Sequence, residues 1–168
     1  MTEAPDYAEP IEAWRLWIAV PEDVHIQLRS VVYRTLWPAG EAMVAHCLRR
    51  YILPRPWRRR NHEVPTPGCH CGIYATGLAE LKPFLTDGPW RLAVRVLGRV
   101  ALWGSVIECE RGWRASHAYP RRLYVPAPDP RCRVALSAEE IARRLAVYGV
   151  PVEVLPTGPA RAVEVLAA

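Results

Sequence analysis

Residues 98–125 (GRVALWGSVIECERGWRASHAYPRRLYV) constrain the fold more than any other stretch, because two runs of strand-like periodicity meet there at Arg111-Gly112. Val100, Leu102, Val106 and Ile107 alternate with small or polar residues, and a glycine at the turn admits the positive φ that a tight hairpin needs. The reading is a β-hairpin. With Arg111 and Gly112 as its loop, Glu110 pairs with Trp113, Glu108 with Ala115 and Val106 with His117, and Tyr119 lies opposite Gly104. One face then carries Glu108, Glu110, Trp113, His117 and Tyr119, and the other carries Trp103, Ser105, Ile107, Cys109, Arg114 and Ser116. A slip of one residue would exchange the two sets, so register decides which groups meet.

The rest of the chain supplies partners for that hairpin. Residues 14–20 (WRLWIAV) read as a strand, Pro21-Glu22-Asp23 as a turn and residues 25–36 as a second strand, while residues 41–50, apolar at Ala42, Val44 and Cys47, fit strand or helix and are read as a further strand. Residues 51–68 are proline-rich without hydrophobic period and read as a long loop. Leu78, Leu81 and Leu85 share a helical face, giving a short helix over 77–85 that Pro83 limits, and residues 90–96 form a strand feeding the central hairpin. Ser137 with Glu140 three residues on is a capping box, Ile141, Leu145 and Tyr148 make one stripe, and Gly149 suits the C′ position of a longer helix. Residues 150–154 return as an edge strand, where Pro151 is tolerated. A faint likeness links Trp14-Arg15-Leu16 with Trp90-Arg91-Leu92, each leading into a hairpin.

The fold expected is α+β: a small, mostly antiparallel, partly closed sheet, a pseudo-barrel, with one short and one longer helix. A chain of 168 residues suffices for one buried core and is short for two. The organisation expected is therefore a flexible lead-in over 1–10, a single domain over 11–156 and a loosely held tail over 157–168. No run approaches the ~20 apolar residues of a membrane span, and residues 1–10 lack a signal-peptide pattern. Five cysteines at irregular spacing make a poor disulfide framework. The expectation is a cytoplasmic protein with no membrane contact, no structural disulfide and no cofactor.

The formal net charge is +5, and Lys82 is the one lysine among 22 basic residues. Arginine forks suit phosphates, although such a skew also follows from coding bias. Arg55, Arg58, Arg59 and Arg60, interrupted by Trp57, read as a nucleic-acid-binding loop, with a merely solvated loop as the alternative. Seven Trp and seven Tyr stand against one Phe. On that balance Trp103, Trp113 and Tyr119 would line a ligand pocket, stacking on a base, with Arg114 as a guanidinium plane and Glu108 reading an N–H edge. Core packing is the competing role for these rings.

Glu108, Glu110 and His117 are the residue types for acid–base chemistry, but a hairpin's paired charges more often form a solvated face, and no P-loop, G-x-S-x-G or H-E-x-x-H motif occurs. Cys69, His70 and Cys71, with His62 upstream, are zinc-ligand types. Their spacing departs from the usual C-x₂₋₄-C pairs, and Cys47, Cys109 and Cys132 would have to converge from distant segments. The expectation is no metal, with Cys71 a small buried hydrophobe between turn glycines Gly68 and Gly72.

The constellation of residues 69–75 (CHCGIYA), residues 100–104 (VALWG), Glu108, Glu110, residues 112–115 (GWRA) and Ala118-Tyr119-Pro120 resembles a group of uncharacterised bacterial proteins over roughly residues 14–125. That resemblance implies kinship and no reaction. A short helix before a strand-rich segment is also similar, in architecture, to the pseudo-barrels of the PUA and ASCH type, which implies binding of RNA or modified nucleobases. Three function classes follow: a binding module for single-stranded RNA or DNA or a nucleobase-like ligand, a protein-interaction module docking a protein partner through an aromatic patch at Trp14, Trp17 and Trp37, and an enzyme.

Overall fold

The computed structural model describes residues 9–47, 62–86, 93–132 and 136–168. Seven strands form one sheet: β1 (Ile11–Glu22), β2 (His25–Ser30), β3 (Met43–Val44), β4 (Ile73–Thr76), β5 (Arg95–Cys109), β6 (Gly112–Pro126) and β7 (Val152–Leu155). Among the described residues three helices accompany it: α1 (Lys82–Thr86), α2 (Ala138–Leu145) and α3 (Pro159–Ala167). The expected mixture of helix and mostly antiparallel sheet is present, with three helices among the described residues where two were expected. Pairing runs β1–β4–β6–β5 and back to β1, a closed ring of hydrogen-bonded strands.

β6 is the spine of this ring. One of its edges carries β5 along its length, and the other is shared by three short strands in turn: β4 at residues 112–115, β3 at 117–118 and β7 at 123–126. The β7 pairing is parallel and the rest are antiparallel. β1 is divided in the same way, with β5 along one edge and, on the other, β4 at Trp14 and β2 from Trp17 onward. Its sequence runs apolar without alternating because both faces are covered. Trp17 and Ala19 enter one core with Leu28, Trp37, Val100 and Ile141, while Leu16 and Ile18 enter a second with Leu81, Leu97 and Val163.

Several elements differ from the sequence reading. β2 ends at Ser30, because the chain turns through residues 31–33, with Arg34 at φ +52°, and returns so that Leu36 bridges Arg29. The strand expected over 41–50 is the two-residue β3. Helix 77–85 is a 3₁₀ turn, Ala79–Leu81, running into α1. The segment expected as a loose tail contains α3, started by Pro159, whose Ala162 and Val163 are buried against the second core. Trp17 and Trp37, expected at an exposed patch, are 0% and 1% exposed. Trp14 is half-buried and stacks on Tyr124 at 5.6 Å.

α2 follows its sequence signals. The Ser137 side chain accepts from the Glu140 amide at 3.2 Å, and Gly149 closes the end at φ +66°. Glu140 does not reach back to complete the box; it pairs forward with Arg143 and Arg144 at 2.7 and 2.6 Å. The stripe residues Ile141, Leu145 and Tyr148 are buried on the first core. Tyr148 fastens this helix end to the β2 region: its hydroxyl accepts from the Leu28 amide and donates to the Trp37 carbonyl, both at 2.8 Å. Burial pushes its ionisation up to about 12. Tyr148→Phe should therefore cost roughly 2 kcal/mol, since two buried backbone groups lose their partner. Urea denaturation checks this, and an unchanged midpoint would mean that water replaces the hydroxyl.

Candidate functional site

The divided edge of β1 leaves a gap. β4 shares a single pair with β1, Trp14 with Thr76, and β2 pairing starts at Trp17, so Arg15 and Leu16 have no strand partner on that side. Arg15 bridges the gap instead. Its guanidinium donates to the Tyr74 carbonyl on β4 and to Ser30 Oγ on β2 at 3.0 Å, and lies 5.0 Å over the Trp37 ring. Trp37 Nε1 donates to the same Ser30 oxygen at 2.9 Å, and its ring meets Trp17 edge-on at 5.2 Å.

A cleft of about 390 Å³ opens over this gap. Its lining includes Trp14, Leu16 and Val31 from the second core, Trp37 and Ile73 from the first, Met43 and Tyr74, and the exposed apolar residues Val32, Tyr33, Val44 and Phe84. Arg15 lines it as a cation with no acidic partner among the described residues, and its Nε is buried with no hydrogen-bond partner. Burial lowers the Arg15 guanidinium to about 10, which leaves it charged at neutral pH. A mostly apolar cleft with one convergent cation is the form of a small-ligand site.

At one end of the cleft four ligand-type side chains converge. Donor atoms of Cys47, His62, Cys69 and Cys71 lie within 4.8 Å of one another, with Cys47 Sγ and Cys69 Sγ 3.7 Å apart. Cys71 is buried and the other three are half-buried. The loop that carries two of them is held by Arg114, which donates to the carbonyls of Cys69 and, at 3.1 Å, Cys71. Tyr74 adds a hydrogen bond from its hydroxyl to the His70 carbonyl at 2.9 Å. Burial raises the Cys71 thiol. For Cys69 burial also acts upward, but hydrogen bonds from Cys71, Cys47 and His62 prevail and bring it down to about 7.

The residues singled out from sequence are only partly brought together. Observed register pairs Glu108 with Trp113 and Val106 with Ala115, two residues from the expected pairing, so Glu110 and Arg111 are the loop residues and Gly112 begins β6. A shift of two preserves faces. A bulge between Trp103 and Val106 then changes them, pairing Trp103 with His117 and stacking the two rings at 5.9 Å. Trp103 was expected on the Arg114 face and lies instead with His117, because the bulge inserts one extra residue in β5. His117 stands four residues up β6 from Trp113, about 13 Å along a strand, so Glu108 and His117 do not form an acid–base pair.

Tyr119 is committed to structure, donating to the Tyr148 carbonyl at 2.8 Å and accepting from the Gly40 amide at 2.7 Å. Trp113 packs half-buried against the first core, and Glu110 is exposed. Arg114 serves the cysteine loop, with Tyr74 under its guanidinium at 5.8 Å. Arg55, Trp57, Arg58, Arg59 and Arg60 lie outside the described residues. Arg15 is the residue that sequence reasoning missed; its signal is a lone cation inside an apolar strand, where burial demands a reason. No protein-family model, curated protein or solved structure matches this chain.

Proposed function

We propose that this protein is a small-ligand-binding module, that the cleft over Arg15 is its site, and that the ligand has a flat apolar body with one anionic or acceptor-rich edge. The observation that carries this reading is the Arg15 cation, held in an apolar cleft, among the described residues, by neutral acceptors alone. A buried charge without a counter-charge is costly, and a carboxylate or a pyrimidine-like carbonyl edge would offset that cost. Trp14 and Tyr74, both half-buried, supply aromatic surface for a nucleobase or an aryl carboxylate. This reading keeps the nucleobase-like ligand expected from sequence and moves it from the hairpin face to the β1 edge. The ring of strand pairing supports a barrel-like sheet, and the likeness to PUA and ASCH pseudo-barrels expected from sequence is an architectural analogy that carries no ligand by itself.

The test is a tryptophan-fluorescence and calorimetric titration with free nucleobases and simple aryl carboxylates. At least one of these should bind with a Kd near ~10 µM, roughly −7 kcal/mol. Arg15→Met, which keeps volume and removes charge, should weaken binding tenfold or more while thermal stability holds or rises. If Arg15→Met lowers stability and leaves binding unchanged, Arg15 is a structural bridge and the cleft is not its ligand site. Tight oligonucleotide binding without binding of free bases would also overturn the reading, moving the interface to a polyanion-binding surface.

A further inference from the structure

We propose that Cys47, His62, Cys69 and Cys71 form a structural zinc site that takes one Zn²⁺ per chain in tetrahedral coordination. The separations are those of ligands around a shared centre. With Zn–S near 2.3 Å, the edge of a tetrahedron of sulfurs is about 3.8 Å, and Cys47 Sγ and Cys69 Sγ stand 3.7 Å apart. That is far beyond a disulfide's ~2.05 Å, and all five cysteines are free. Three thiolates with one imidazole are a zinc donor set, and four protein ligands leave no open position, which makes the site structural and not catalytic.

The surroundings supply the outer shell that such a site needs. His62 Nδ1 is 2.8 Å from the Glu63 carbonyl, a contact that fixes the proton on Nδ1 and leaves the lone pair of Nε2 for a metal. On binding, the three thiols release three protons to solvent, and Zn²⁺ with three thiolates carries a net charge of −1. The Arg114 guanidinium, anchored on the carbonyls of Cys69 and Cys71, provides the nearby positive charge. Gly68 and Gly72, at φ +78° and +121°, let the loop fold Cys69 and Cys71 toward one point. The ligands come from two segments, one leaving β3 and one entering β4, so the metal ties together the chain on either side of residues 48–61. Cys47, Cys69 and Cys71 also line the end of the cleft, but the site stands whether or not the cleft binds a ligand.

Elemental analysis of the full chain, purified without added metal or chelator, should give about one zinc per chain and no iron. Replacement by Co²⁺ should produce the intense visible bands of a tetrahedral thiolate site. Cys47→Ser and His62→Ala should each lose most of the metal, His62→Cys should keep it, and Cys109→Ser and Cys132→Ser should leave it unchanged. Because ligand variants can fail to fold, native alkylation read by mass spectrometry provides a second measure. Cys47, Cys69 and Cys71 should be protected until a chelator is added and then react. Metal-free protein whose half-buried Cys47 and Cys69 alkylate freely, a native mass two hydrogens short from a disulfide, or stoichiometric iron in place of zinc would each overturn the proposal.

Discussion

Trp37→Ala should lose about 3–5 kcal/mol of stability, the range for truncating a large aromatic in a packed interior. The indole is 1% exposed, meets Trp17 edge-on, underlies the Arg15 guanidinium and donates from Nε1 to Ser30. Removing it leaves a cavity between β1 and the turn after β2, takes one donor away from the accepting Ser30 Oγ and removes the surface on which Arg15 rests. Urea denaturation followed by circular dichroism measures the loss, which should appear in the midpoint with the slope unchanged. Trp14→Ala is the comparison, since Trp14 is half-buried and touches Tyr124 by stacking; it should cost clearly less. A Trp37→Ala loss below about 1 kcal/mol would mean that residues 31–37 do not close over β1 as described.

What was legible in the sequence is local. The central hairpin announces itself by its two-residue period, and α2 by Ser137, its stripe of Ile141, Leu145 and Tyr148, and Gly149. Register was less legible, because Gly112 looks like a loop residue and is the first residue of β6, and because Gly104, at φ +74° in the bulge that turns Trp103 toward His117, reads as an ordinary strand position unless an isolated glycine is taken as a bulge signal. α3 was missed since Ala, Pro and Gly in residues 157–168 resemble a loose tail, whereas Pro159 at the first helical turn and Ala162 with Val163 on one face start and bury a helix.

The site was hidden for a different reason: both of its parts are made by distant segments. Arg15 becomes notable only when β2 and β4 leave a gap beside it, and no spacing in residues 14–20 encodes that gap. The Cys69-His70-Cys71 spacing argued against a metal because the missing ligands were sought as a second pair nearby. They come singly, Cys47 from the stretch that follows β3 and His62 from within residues 51–68. The basic residue expected to stack on a ligand, Arg114, holds the cysteine loop instead, so a residue type suited to recognition is used for positioning.

Gly112→Ala should lower stability by at least ~3 kcal/mol, combining backbone strain with overpacking. Gly112 sits at φ +147°, a conformation that L side chains rarely adopt, and a Cβ there would lie 2.2 Å from the Ala75 carbonyl oxygen and 2.8 Å from Thr76 Cα. Both contacts are to backbone, so no rotamer relieves them. β4 and β6 would have to separate at the pairs of Gly112 with Thr76 and Trp113 with Ala75, and β4 also forms one wall of the cleft and leads directly from the cysteine loop. The damage should therefore spread: faster amide exchange in residues 73–76 and weaker metal retention, together with the lower midpoint. Gly77→Ala is the control one residue beyond β4, because its Cβ would meet nothing within 4 Å, and it should change stability by no more than about 0.5 kcal/mol. Equal midpoints for the two variants would show that β4 and β6 are not packed this closely at Gly112.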